Sequence, residues 1–184
     1  MQVTVPSIHY QPAGPGDALF VHELYLATPG YFELLSIPLP SVQEVRTDLE
    51  TAAADPRRIT DLVQIDVGDA DGVWLPGPLR TVGYVDVTLD YLEPGDATVN
   101  LLLIRADHQR RGIGRAVERD LERRLQGRVE RLLASVYGKN PHARRFWRSL
   151  GFHFAIDAAP VVEWYAKRIS SPANAGDLAT DLDL

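Results

Sequence analysis

One stretch constrains the fold more than any other. A nearly continuous apolar run, Thr98 to Ile104, leads into the loop Gln109-Arg110-Arg111-Gly112-Ile113-Gly114, after which Ile113, Val117, Leu121 and Leu125 recur every four residues. The run has the length and character of a strand covered on both faces. The four-residue spacing is one stripe of an amphipathic helix. Strand, glycine loop and helix in that order predict an α/β unit whose helix starts at an anion site. The first turn of a helix carries N–H groups without intrahelical partners. The helix dipole adds about half a positive charge there. Glycines let an anion approach the backbone, and flanking arginines add charged hydrogen-bond donors.

The rest of the chain reads as a single α/β domain. Val3 to Tyr10 alternates as a first strand, and Gly16-Asp17 opens a helix whose apolar face is expected from Leu19, Phe20, Leu24 and Leu26. Pro29-Gly30 breaks it, and a short second helix holds Tyr31 to Leu35. Ser41 with Glu44 three residues on has the pattern of a capping box, starting a helix that ends before Pro56. Strands follow over Thr60 to Val67 and Thr81 to Leu89, separated by a turn cluster from Gly68 to Pro78. After the glycine loop and its helix come a strand (Arg131 to Tyr137) and a helix (Asn140 to Leu150). Two last strands, Phe152 to Ile156 and Val161 to Ala166, flank Ala159-Pro160. Residues 1–169 form the expected domain; the small, polar and acidic stretch 170–184 is expected to be a loosely held tail.

Three phosphate-binding patterns compete for the loop. A P-loop needs GxxxxGK followed by Ser or Thr, which the chain lacks. A dinucleotide fingerprint needs GxGxxG or GxGxxA, but Val117 stands at the third small position. That leaves a nicotinamide-dependent oxidoreductase as the weakest reading. The pattern Q/RxxGxG/A is met in full by Gln109 to Gly114. A second constellation follows the next strand: Asn140, Ala143, Phe146, Trp147, Gly151 and Phe152. Together these resemble the GNAT superfamily of N-acetyltransferases, in which the loop, a helix and a strand precede N-x-x-A-x-x-(F/L)-Y-x-x-x-G-F. The resemblance covers roughly Thr98 to Phe152. It implies a mixed, mostly antiparallel sheet of six to seven strands with helices on both faces, and acetyl-CoA as cosubstrate.

Residue roles follow from that resemblance. The pantetheine arm is expected along the backbone of Leu102, Leu103 and Ile104, whose side chains also read as plain core. The pyrophosphate is expected on the loop Gln109, Arg110, Arg111, Gly112, Ile113, Gly114 and Arg115, with one of its arginines reaching the 3′-phosphate. Asn140 is expected to contact the cofactor, and equally suits a helix N-cap. Trp147 stands where many relatives carry the tyrosine that protonates the leaving thiolate, and an indole N–H is no proton source at neutral pH. Tyr84 and Tyr137 read as packed strand aromatics. No carboxylate occupies Thr98 to Asn100 or Ser135, where relatives place a base. Asp86, on a strand between Val85 and Val87 and facing away from them, is the preferred base over Asp90, Glu93 and His108, the last read as solvated. Tyr25, Tyr31 and Phe32 are expected to wall the acceptor site.

Composition narrows the function classes. There is no cysteine, which excludes disulfides, thiolate metal sites and a covalent acyl-cysteine; no metal is expected. The net charge of −6 argues against a nucleic-acid partner. Nine arginines between Arg105 and Arg131 form either a solvated helix face or a local phosphate surface. No apolar run approaches the roughly 20 residues of a membrane span, and Met1 to Tyr10 lacks the pattern of a signal peptide, so a cytoplasmic chain is expected. The expected activity is acetyl transfer to a small-molecule or peptide amine by direct attack in a ternary complex. The alternative is a GNAT-like module that holds acyl-CoA without turnover. A homodimer is expected by analogy.

Overall fold

The structure, a computed structural model, describes residues 7–66, 78–137, 140–158 and 162–169. The tail from residue 170, the turn at Ala159-Pro160 and most of the cluster from Gly68 lie outside them. Among the described residues, seven strands and five α-helices follow in the order read from sequence. They are β1 (Ile8–Pro12), α1 (Ala18–Leu26), α2 (Pro29–Leu35), α3 (Val42–Ala54), β2 (Arg58–Asp66), β3 (Leu79–Leu89) and β4 (Asp96–Ile104). After them come α4 (Ile113–Leu125), β5 (Arg131–Tyr137), α5 (Pro141–Arg148), β6 (His153–Ala158) and β7 (Val162–Arg168). One sheet runs β1-β2-β3-β4-β5-β7-β6, and every neighbouring pair is antiparallel except β4 with β5.

Helices cover both faces. On one face the stripe of α4 (Ile113, Val117, Leu121 and Leu125, none more than 1% exposed) packs with Trp147, Leu150 and Phe152 onto Val85, Val87, Val99, Leu132 and Ala134. On the other, α1, α2 and α3 press Val21, Leu24, Tyr25, Phe32, Val45 and Leu49 onto Leu62, Tyr84 and Leu103. The Ser41 capping box forms as read, with the Glu44 N–H donating to Ser41 Oγ and Glu44 Oε2 accepting from the Ser41 N–H at 2.7 Å. One expectation is corrected. The buried face of α1 is Ala18, Val21, Leu24 and Tyr25, while Leu19, Phe20 and Leu26 are each more than half exposed. This helix is apolar nearly all round, so its periodicity does not select a face.

Two irregularities shape the middle of the sheet. The β2–β3 register shifts between Val63 and Gln64, and the β3–β4 register shifts between Asp86 and Val87, where Asn100 is the extra residue on β4. A bulge bends its strand and adds twist. Near the first shift the backbones approach closely at Gly83. A Cβ there would lie 2.6 Å from the Leu103 carbonyl oxygen and 2.7 Å from Ile104 Cδ1. Backbone cannot yield as a side-chain tip can, so Gly83→Ala is expected to cost about 2–3 kcal/mol. Thermal unfolding should register that as a melting temperature lower by roughly 5–10 °C.

Strand β1 is tied to the far layer by Tyr10, whose hydroxyl donates to Asp120 of α4 at 2.8 Å. Burial pushes this phenol up from 10.0 to about 12, against the pull of Arg124. Tyr31 rises to about 12 for the same reason, with Tyr137 adding to it. A phenol raised in the fold ionises first in the unfolded chain. Its contribution is therefore whole below pH 10 and is lost as pH climbs through about 12. Denaturant titrations should show unfolding free energy falling across that window, less steeply in Tyr10→Phe; an equal slope would deny Tyr10 this role.

Candidate active site

The parallel seam between β4 and β5 is short. It pairs Asp96 with Arg131 through Val99 with Ala134, and there it stops. Beyond it β4 stays on β3 and β5 stays on β7, so the strands part and leave a wedge in the middle of the sheet. The bulge at Asn100 sits at the vertex. There the Ser135 hydroxyl lies 3.3 Å from both the Val99 and Asn100 carbonyl oxygens, a side chain taking the place of the next rung. The β4 edge that faces the wedge, Leu101 to Ile104, has no strand partner on that side among the described residues. This corrects the reading of β4 as buried throughout: Asn100, Leu101 and Leu102 are half-buried, because no strand covers that edge. Leu103 and Ile104 remain in the core, on opposite faces.

The wedge leads toward the glycine loop. Gln109 Nε2 donates to the Ile104 carbonyl at 2.9 Å, fastening the loop to the end of β4. Arg110 (φ 60°) and Gly112 (φ 83°) both take the left-handed conformation. Gly112 is the N-cap of α4 and has no side chain to cap it. The first N–H groups of α4, at Ile113, Gly114 and Arg115, are thus left for an outside acceptor. Gly114 does not need to be small for the fold, since a Cβ would only touch the Phe146 ring at 3.4 Å. Arg110 and Arg111 have no ion-pair partner among the described residues. Arg115 is turned instead to α5, with Nη2 3.1 Å from Ser149 Oγ. The arginine-rich stretch is therefore mixed: Arg124 is bound to buried Asp61 and Arg131 to Asp96, while the loop pair stays available.

Other predicted residues fall on either side of the wedge. Asn140 caps α5, its Oδ1 accepting from the Ala143 N–H at 2.9 Å, which leaves its Nδ2 free to donate. Trp147 is packed into the core, its ring 4.9 Å from both Phe146 and Phe152. Asp86 faces away from Val85 and Val87 as read, but it is buried and fully engaged. Arg58 grips both its oxygens (3.1 and 2.5 Å), and Asn100 Nδ2 adds a third donor at 3.1 Å. Arg58 also reaches both oxygens of Asp48 on α3 at 3.1 Å. Two carboxylates and their hydrogen bonds hold the Arg58 guanidinium firmly protonated. His108, read as solvated, is buried beside Asp107. Tyr84 is packed as expected, whereas Tyr137 is 41% exposed at the end of β5. The Arg58 network and Ser135 were not singled out from sequence. Their partners lie up to 36 residues apart, and no local pattern marks them.

A splayed parallel pair leading to a helix N-terminus without a side-chain cap is one mark of the chain's kinship. The other is the match of residues 40–152 to the acetyltransferase (GNAT) family model. The chain belongs to the GNAT acetyltransferase family. An acetyltransferase from Thermus thermophilus is 38% identical to it, with a TM-score of 0.78 over 89% of this chain and 98% of that one. Two other solved GNAT-fold structures share the fold at lower identity. One is spermidine N-acetyltransferase from Vibrio cholerae, in complex with CoA and spermine (18% identity, TM-score 0.63, 88% of this chain and 95% of that one). The other is a Salmonella typhimurium acetyl transferase that modifies the N-terminal serine of a ribosomal protein (15%, TM-score 0.69, 91% and 98%). Among curated proteins none matches. No helix among the described residues of this GNAT chain is long and apolar enough to cross a membrane.

Proposed function

We propose that this chain transfers an acetyl group from acetyl-CoA to a primary amine, by direct attack within a ternary complex. The observation that carries the reading is the wedge between β4 and β5, which opens beyond Val99 and leads to an N-terminus of α4 that no side chain caps among the described residues. The donor set fits such a cosubstrate. Backbone N–H groups at Ile113 to Arg115, with Arg110 and Arg111, suit a pyrophosphate. The unpaired edge of Leu102, Leu103 and Ile104 suits the amides of a pantetheine arm. Asn140 Nδ2 is a further donor. When bound, the thioester supplies an activated acyl group. The CoA bound to the Vibrio cholerae enzyme, and the amines that it and the Salmonella enzyme acetylate, support both halves of the reading.

The chemistry asks for a neutral amine, a stabilised oxyanion and a proton for the departing sulfur. With three donors already on its two oxygens, Asp86 is committed to Arg58 and Asn100, and we assign it to holding Asn100 at the vertex. Trp147 is a packing residue that cannot serve as the acid. Along the open part of β5 the titratable side chain is Tyr137, and the reading gives it the proton-donor role. The absence of cysteine supports direct transfer.

The test is release of free CoA thiol by purified protein given acetyl-CoA and a panel of amines, with the acetylated product read by mass spectrometry. Turnover with at least one amine is expected, with a fall of about 100-fold in kcat for Tyr137→Phe. Failure both to bind and to consume acetyl-CoA ends the proposal. Trp147 favours a second reading, an acyl-CoA-binding module without turnover. Tight binding with no turnover of any amine, and activity appearing only in Trp147→Tyr, would establish it instead.

A further inference from the structure

A cavity of about 390 Å³ lies under the loop between α2 and α3. Pro38, Leu39, Pro40 and Val45 give it an aliphatic wall, and Tyr25, Glu44 and Asp48 give it a polar one. Tyr25 is 8% exposed, lines the cavity, and its hydroxyl has no hydrogen-bond partner among the described residues. Behind it the buried Tyr84 hydroxyl is unpartnered too. A buried polar group without a partner is rare and costly. Beside that one, the Tyr25 hydroxyl at the cavity wall is open to an outside partner, and a ligand there would satisfy it.

The charge around these hydroxyls is negative in sum. Asp48 and Asp86 share the one cation Arg58, and Glu44 has no cation partner among the described residues, so three carboxylates and one guanidinium leave two negative charges uncompensated. The Glu44 cap uses only Oε2, so Oε1 is free to face a ligand. The phenol of Tyr25 is raised first by burial and then by Asp48, Asp86 and Tyr31, with Arg58 alone opposing, so the potential there favours a cation.

Side-chain contacts run from the cavity wall toward the wedge. Tyr25 meets Phe32 in a tilted contact (5.0 Å) and Phe32 meets Tyr31 edge-on (5.3 Å), and Tyr137 on β5 helps to raise the Tyr31 phenol. Below that aromatic row, Asp48 is joined through Arg58 and Asp86 to Asn100 at the vertex.

We infer that this cavity holds a second, non-reacting ammonium group of the acceptor, so that the favoured substrates are aliphatic amines carrying two positive charges. The ammonium donates to Tyr25 Oη and to the Glu44 and Asp48 carboxylates, and the methylenes lie against Pro38, Leu39, Pro40 and Val45. The inference rests on the acetyl-transfer reading for the reacting end, and its two parts are separable by experiment.

The first measurement is calorimetric binding to the full chain without acetyl-CoA, using 1,5-diaminopentane, 1-aminopentane and pentan-1-ol. Both amines are expected to bind, and the alcohol at least about tenfold more weakly, the worth of a charge-assisted hydrogen bond. Tyr25→Phe and, independently, Glu44→Gln should weaken amine binding by severalfold while leaving melting temperature within a degree or two. The second measurement compares acetyl transfer to the two amines. The diamine should have the lower KM by about tenfold, and Tyr25→Phe should erase that difference between the two amines. Equal binding of amine and alcohol, or equal KM values for the two amines, overturns the inference and leaves acetyl transfer standing. Amine binding that Tyr25→Phe weakens, with no acetyl transfer to any amine, leaves the cation site standing and overturns the transfer reading.

Discussion

Gly112→Glu should raise the dissociation constant for acetyl-CoA by at least about 100-fold. Gly112 caps α4 with a left-handed backbone and no side chain. A carboxylate placed there meets a bound pyrophosphate at short range, and like charges about 4 Å apart repel by roughly 4 kcal/mol near a protein surface. Gly112→Ala separates this from backbone strain. It imposes a left-handed cost of roughly 1–2 kcal/mol on the fold but adds no charge. Its effect on binding should be much smaller, and its melting temperature should fall about as far as that of the glutamate variant. Calorimetry with CoA on both variants is the check. Equal binding by Gly112→Glu and the parent chain would remove the loop from the cosubstrate site.

Arg58→Met should be the most destabilising single change in the polar interior, at about 3–5 kcal/mol, because removing one partner leaves a buried charge uncompensated. Asp86 is 4% exposed and would keep only the Asn100 amide as a donor. The double variant Arg58→Met with Asp86→Leu removes the stranded charge along with its partner and should regain much of the loss. Denaturant unfolding of the two variants decides it. If the double variant is no more stable than Arg58→Met, the cost comes from lost packing of the arginine stem rather than from the charge. The same pair reports on Asn100: the single variant frees an oxygen of Asp86, so turnover should change more than acetyl-CoA binding does.

What was legible in the sequence was local. The helix stripe from Ile113 to Leu125, the Ser41–Glu44 capping box, the Asn140 cap and the order of elements each depend on residues within a few positions of one another, and each is present. The face of α1 was misread because Ala18-Leu19-Phe20-Val21 offers no polar residue to break the symmetry, and only docking onto Tyr84 and Leu103 decides which side is covered. The wedge was hidden for a different reason. An apolar run such as Thr98 to Ile104 reads as core whether its neighbouring strand stays or leaves. The departure depends on a bulge and on a hydroxyl 35 residues away at Ser135. Asp86 was placed on the correct face, but its engagement by Arg58, 28 residues earlier, belongs to strand register and not to any motif.

The wedge also bears on how the chain behaves toward its own copies. A strand edge with unspent hydrogen bonds is usually a hazard, because a strand from another molecule can add to it and start aggregation. Proteins commonly guard such edges with charge or proline, but Leu101 to Ile104 is bare and apolar. Its protection is geometric. The edge lies in the interior of a seven-stranded sheet, in a gap that narrows to a closed vertex at Val99 and Ala134, with β5 and β7 beyond it. An incoming strand needs its full width along the whole pairing length, whereas a thin flexible arm needs much less. The sheet thus keeps its most adhesive backbone where only a slender guest can use it.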